Sequence, residues 1–414
     1  MPYLEWLLTS IVVLFPATAL TIKGAANKCL YLLVLISVVC IVFRCAPMGR
    51  TFSQILKKYW PIHLAMASTV LAIFLHQAFA GSFRWNIYDI PSRLAFFAPI
   101  AWVLLLAPLR HLRKIQWGMT AGAFAMAIKI QLAAAALPEP PTNIAFINRI
   151  PYGDIALLLG IFSFLAIGWS ARNDKWEIVL KFLGGCAGLY TSYFSQARGG
   201  WVAIPVLAAI VLAFHDGLPA RRRLIVFALV FVLLGAVFSG SEVVQSRVAK
   251  AGSDISEYMN GKNVDTSIGI RFQLWRGSWI LFVEHPWFGV GREHFHPDAL
   301  NQLHARNIIT ATATDFGHSH SEFFFNIATL GIFGLLSFLA IYIVPGYYFL
   351  QAARAKDREL RIAGSMGVAL CVGYFVFGLT EAIFDTPVSC AFFSINAAVF
   401  FAYIVKRKQS MAAR

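Results

Sequence analysis

Charge is what this 414-residue chain has least of: 13% of its residues are Asp, Glu, Lys or Arg and 20 are acidic, against 58% that are hydrophobic. A soluble domain carries about a quarter charged residues, so that class is excluded. Cysteine is also sparse. Cys29, Cys40, Cys45, Cys186, Cys371 and Cys390 sit in or beside apolar blocks with no CxxC pair and no histidine at zinc-finger spacing, so they read as packing residues. No repeat of fixed period and no low-complexity tract is present, which removes solenoids and biased tails. The first apolar block lacks a basic start and a small-residue cleavage site, and reads as a retained helix rather than a signal peptide. HExxH and DxD are missing too. The run REHFH offers Glu293, His294 and His296, but its two histidines could bind one ion only from an extended strand, so no metal and no other cofactor is expected.

What the chain has in quantity is apolar sequence in blocks of roughly 17 to 22 positions, the length a helix needs to cross a hydrocarbon core of about 30 Å. Read between polar breaks, these blocks predict an all-α, polytopic integral membrane protein of about twelve spans. They lie near 4–22, 28–46, 61–80, 93–109, 116–137, 153–170, 176–194, 201–214, 224–240, 323–350, 362–383 and 388–405. Nine spans fall in 1–240 and three in 323–405, separated by a long connection over 241–322 and followed by a short tail, 406–414.

The net charge of +15 would suggest a nucleic-acid partner in a soluble protein, so the placement of the cations decides its meaning. They alternate. One set of short loops holds Arg44, Arg50, Lys57 and Lys58; Arg110, Arg113 and Lys114; Arg172 and Lys175; Arg221, Arg222 and Arg223; Arg354, Lys356, Arg358 and Arg361; and the tail Lys406, Arg407, Lys408 and Arg414. The other set holds only Lys23, Lys28, Arg84, Arg93, Arg149 and Arg198. By the positive-inside rule both termini are cytoplasmic, the partner is membrane lipid rather than nucleic acid, and the long connection faces outward. Within that connection IRFQLWRGSWILFVEHPWFGVG has a helical apolar pattern ended by Pro286. It is too short and too charged to span, and either lies along the membrane surface or caps a cavity.

His318 and His320, in HSHSEFFFNIATLGIFG, stand where this outer loop meets an apolar block. An interfacial imidazole can simply hydrogen-bond a headgroup, but a neutral ring with an ordinary pKa near 6.5 can also take a proton from a hydroxyl. On one continuous helix His318 would point about 200° away from His320, which makes His320 the candidate base. Gly331 and Gly334 have the small-residue spacing that lets a neighbouring helix approach and hold the histidine-bearing helix rigid. In SQARGGW, Arg198 is followed by Gly199 and Gly200, which leave room for a ligand beside a guanidinium. Arg271, Arg276 and Arg292 add permanent cations from the loop, and convergence with Arg198 and His320 would make an anion site. Asp385 and Glu381 are carboxylates placed to pair with an Arg or to orient the histidine.

The pattern H-S-x9-G from His320, followed by Gly334, resembles the signature of the O-antigen ligase and polymerase superfamily. SQARGGW is similar to that family's Arg-Gly turn, and Arg271, Trp275, Pro286, Gly289, Gly291 and Phe295 to its R-x3-W … P-x2-G-x-G-x3-F run. Ser321 stands where the family more often has Asn. The resemblance implies a glycosyltransferase-C-like membrane fold in the inner membrane, with a large periplasmic loop containing short helices. It implies transfer of a glycan from an undecaprenyl-diphosphate-linked donor to a lipid A-core acceptor, with His320 catalytic and Arg198 and Arg271 on the diphosphate. Arg276, Arg292, His318 and Asp385 are accessory candidates from location alone. Related activities remain open: polysaccharide polymerase, protein O-oligosaccharyltransferase or, outside enzymes, a transporter of lipid-linked sugars.

Overall fold

Backbone in hydrocarbon must satisfy its own N–H and C=O groups, so the long apolar blocks become helices. The structure, a computed structural model, describes residues 2–135, 143–144, 146–170, 174–214 and 239–413, with isolated positions between 221 and 236; the side chains of Pro2, Asn143, Arg198 and Val243 fall outside that description. Seven helices are long and apolar enough to cross a membrane: Ala25–Val42, Trp60–Ala80, Trp85–Leu104, Leu109–Ala135, Glu322–Ala353, Arg358–Gly378 and Pro387–Ala412. The protein is therefore all-α and polytopic, but the twelve spans expected from the sequence are not reached among the described residues. Tyr3–Thr18 and Gly199–Phe214 are apolar but shorter. Arg149–Leu165 has 17 residues, and Lys175–Ser195 dilutes its apolar content with Lys175, Glu177 and Lys181. Most of the block at 224–240 lies outside the described residues. The described strands are one short antiparallel pair, Asn143–Ile144 with Ile147–Asn148, leading into the Asn148 cap of Arg149–Leu165.

Pro387–Ala412 is the axis of the bundle, buried over 94% of its apolar window. Its Phe392, Phe393, Ile395, Phe400 and Tyr403 have no accessible surface. At the end where this helix stops, the cations of one loop set collect. Lys406 Nζ donates to Leu105 O and Ala107 O at 2.8 and 2.7 Å, Arg407 pairs with Asp357 at 2.7 Å, and Arg113 pairs with Glu359 at 3.2 Å. Lys181 Nζ, with no exposed surface, donates to Gln116 Oε1 and Ala166 O at the same end. Arg172, Arg222, Arg223 and Arg414 of that set lie outside the described residues.

At the opposite end Glu322–Ala353 is two helices rather than one, 322–330 and 332–353, because Gly331 adopts φ +60°, ψ −140°. The break folds the first piece back on the second: the Phe323 and Phe338 ring centroids are 5.7 Å apart, although fifteen residues of straight helix would separate them by about 22 Å. The expectation of a helix-packing glycine is thereby corrected at Gly331, whereas Gly334 does admit a neighbouring helix, since a Cβ there would collide with the Asn326 backbone of the first piece. Gly331 supplies a backbone conformation closed to other residues, and the turn 286–291 occupies the break. That turn satisfies both cut ends, since Ile332 N–H donates to Pro286 O at 2.8 Å while Val290 and Gly291 N–H donate to Ala328 O and Thr329 O at 3.0 and 2.9 Å.

The connection before the hairpin has a core of its own. Ser267–Glu284, capped by Thr266 and stopped before Pro286, buries Ile270, Leu274 and Leu281 against Phe295, Leu300, Leu303 and, on the hairpin, Phe325 and Ala328. The stretch packs on the 322–330 helix, where the Trp275 ring stacks on Phe324.

Candidate functional site

The chain enters the hairpin through His318, Ser319, His320 and Ser321, and helix begins only at Glu322. His320 has φ +49°, a left-handed conformation uncommon outside glycine and recurrent at functional sites. Because neither histidine is helical, the expected opposition of their rings does not occur. The ring centroids are 4.6 Å apart and both rings face Glu381. His320 Nδ1 lies 3.2 Å from Glu381 Oε2, and His318 Nε2 lies 3.6 Å from Glu381 Oε1. Glu381 follows Arg358–Gly378 and is joined to the hairpin through its backbone as well, accepting from Glu322 N–H at 3.2 Å. Ser321 Oγ reaches Gly378 O at 3.5 Å.

Burial sets the charge state of this cluster. It pushes the His318 pKa down to about 4, with Glu381 opposing the shift and the charges of His320 and Arg271 adding to it, so His318 is neutral at ordinary pH. For Glu381, burial works upward but is outweighed by the His320 hydrogen bond and by the charges of His320, His318 and Arg271, which hold the carboxylate ionised below its usual range. His318 Nδ1 accepts the backbone N–H of His320 at 3.1 Å, which puts the proton of the neutral ring on Nε2. The site is thus an ionised carboxylate between two imidazole N–H groups. The same three residues have ligand atoms within 4.8 Å of one another, a set suited in type to a divalent cation. Metal binding through His318 Nε2 would require the proton to move to Nδ1, where it would oppose the His320 amide, so the hydrogen bonding fits the metal-free cluster better.

The other sequence candidates divide. Arg198 opens the short helix Arg198–Trp201 after Gln196, whose φ is +57°. Its side chain lies outside the described residues, but its turn is fixed: a Cβ on Gly199 would come within 2.3 Å of Thr380 Oγ1, and one on Gly200 within 2.2 Å of Asp154 Oδ1. The space those glycines leave is therefore filled by protein rather than left for a ligand, and the contact with Thr380 sets the Arg198 backbone beside Glu381. Arg271 lies one turn before Trp275, whose ring stacks on Phe324 at 5.4 Å, and its charge acts on both His318 and Glu381. Arg276 instead lines a separate cleft of about 610 Å³ with Tyr258, Gln273, His304 and Thr310.

Arg292 and Asp385 form a neighbouring structural network. Arg292 Nη2 donates to Asn326 Oδ1 at 2.9 Å and its guanidinium lies over Phe325; Asn326 Nδ2 donates to Glu322 Oε1, which shares its carboxylate with Phe384 N–H. Burial raises the Asp385 pKa, Arg292 lowers it and Glu381 raises it further. These groups tie the loop, the hairpin and the 383–385 turn together.

Two residues of the site were weakly marked in the sequence or missed. Glu381 is 61 positions from His320, so no local motif joins them. Asp154 belongs to no motif, and its signal in the sequence is that it is the one charged residue inside the apolar block at 153–170. It is 1% exposed and lies beneath the Arg198 turn.

Against this geometry, comparison with known proteins gives two findings. Residues 183–339 match the family model described as O-antigen ligase, a stretch that contains Arg198, Arg271, the turn 286–291, His318, His320 and Gly331, so the likeness read from the motifs holds over it. An uncharacterized protein of Haemophilus influenzae is 25% identical over 301 residues, which is 71% of this chain and 74% of its own length.

Proposed function

From the match over 183–339, we propose that this chain is a membrane glycosyltransferase acting on a lipid-linked glycan, and specifically an O-antigen ligase. It would pass O-antigen polysaccharide from undecaprenyl diphosphate to lipid A-core at the periplasmic face of the inner membrane. The outer loop over 241–322 and the hairpin form its catalytic part, the remaining helices the scaffold, and both termini face the cytoplasm.

The observation that carries this reading is the meeting of His320, Glu381 and the field of Arg271 beside the Arg198 turn, at the end of the bundle opposite the basic loops. A sugar hydroxyl attacks an anomeric carbon only as its proton is removed. His320 takes that proton, a contribution of about 10²–10⁴ in rate for a placed base. The leaving diphosphate carries the negative charge that develops, and Arg198 and Arg271 neutralise it without a metal. Attack from the face opposite the diphosphate inverts the anomeric centre. Two lipid-anchored substrates meeting at one membrane face also need less ordering than free ones.

A polymerase or a protein O-oligosaccharyltransferase would share this chemistry and differ in acceptor. A transporter would place its polar groups near mid-membrane, between related halves, whereas this cluster is at one end. Inactivating the gene separates the enzymes: lipopolysaccharide without O-chains, with lipid-linked polymer accumulating, supports the ligase, and cores bearing a single repeat unit contradict it in favour of the polymerase.

A further inference from the structure

We infer that Glu381 is a positioning residue for this reaction, fixing the tautomer and direction of the His320 ring while holding the Arg198 turn in register with it; the inference rests on the glycosyl-transfer reading above. Three observations meet at this one residue. Its carboxylate faces His320 Nδ1 at 3.2 Å and His318 Nε2 at 3.6 Å. Its backbone carbonyl accepts from the first N–H of the 322–330 helix. Its neighbour Thr380 packs on Gly199, next to Arg198.

An ionised carboxylate can only accept, so the proton between it and His320 belongs to Nδ1. That leaves the lone pair on Nε2, the nitrogen directed away from Glu381 and able to receive the acceptor's proton. The opposite tautomer would put two lone-pair atoms in contact at Nδ1 and cap Nε2 with hydrogen. His318 contributes from the other side. Its Nδ1 is held by the His320 amide, so its Nε2–H points toward Glu381 Oε1 and helps keep that carboxylate charged. The charged and titratable groups acting on Glu381 are His318, His320 and Arg271, with Asp154 and Asp385 as further buried acids nearby.

Glu381→Gln keeps the shape and one acceptor oxygen but can present an amide N–H to Nδ1 and stabilise the wrong tautomer. In purified, reconstituted protein given a lipid-diphosphate donor and a lipid-anchored acceptor, kcat should fall on the order of 10²-fold, with donor KM within about twofold. Glu381→Asp should recover part of that loss. Wild-type kcat in Glu381→Gln would overturn the inference, as would donor KM rising while kcat holds. Loss of wild-type transfer on chelation, restored by zinc, would also overturn it by making the three groups metal ligands. Wild-type protein inactive under every condition would instead count against the glycosyl-transfer reading itself.

Discussion

His318 shows how one residue can sit beside a proposed base and yet serve the structure. Its pKa is depressed to about 4 from an ordinary 6.5, so the unfolded chain takes up its proton first as pH falls. The stability it contributes is full above about pH 6.5 and drains away as pH drops toward 4, a loss on the order of 3 kcal/mol at most. Glu381, depressed in the folded state, is lost in the same direction at lower pH. Thermal unfolding followed from pH 7 to pH 4 should therefore show a falling midpoint, and His318→Gln, which cannot titrate, should flatten that fall. An identical slope in the variant would remove His318 from the explanation. The sequence marks both histidines but not their relation, because a helix continued backward through them would set their rings apart, whereas helix begins only at Glu322. Ser321 and Glu322 are a plausible cap and first-turn acid, and read as such they would have started the helix after His320.

At the scale of elements, the feature that organises the site is the break at Gly331 with the turn 286–291 lodged in it. The two motif halves, forty-odd residues apart, are the two sides of one contact, in which each supplies what the other's cut backbone lacks. Gly331→Ala would place a Cβ about 2.5 Å from Trp287 C in a backbone region closed to alanine, costing about 1–3 kcal/mol from conformation alone and more from the clash. The variant should melt several degrees lower and lose most of its transfer activity, while the same change at Gly261, which has positive φ but open space, should leave activity intact. A fully active Gly331→Ala would mean the hairpin does not hold the site. None of this was legible locally. A glycine in an apolar run reads as a packing residue, and only the tertiary partner, Pro286 to Gly291, reveals it as a break. By contrast, the stop of Ser267–Glu284 before Pro286 was readable from the proline itself.

For the whole molecule, composition and charge placement were the most informative signals, because the bilayer constrains every span in the same way. The cations counted onto one face do gather at one end, around Lys406, Arg407 and Arg113, and the histidine cluster sits at the other. The number of spans was less readable, because the apolar blocks at 4–22, 153–170 and 201–214 form helices of only 17, 17 and 12 residues. If the basic end is cytoplasmic, a single cysteine at Gln302 in a cysteine-free background should react with an impermeant thiol reagent in spheroplasts, and one at Lys408 should not. The reverse pattern would invert the topology and move the site to the cytoplasm.

The central claim, that His320 removes the acceptor's proton while arginines hold the departing diphosphate, is tested most directly by reconstituted transfer with wild-type protein and His320→Ala side by side. A His320 base requires glycan transfer and undecaprenyl diphosphate release by the wild type with chelator present, and a rate at least about 10²-fold lower in His320→Ala with the donor still bound. Full transfer by His320→Ala, or donor bound but never cleaved by the wild type when supplied with lipid-anchored acceptor, would contradict it.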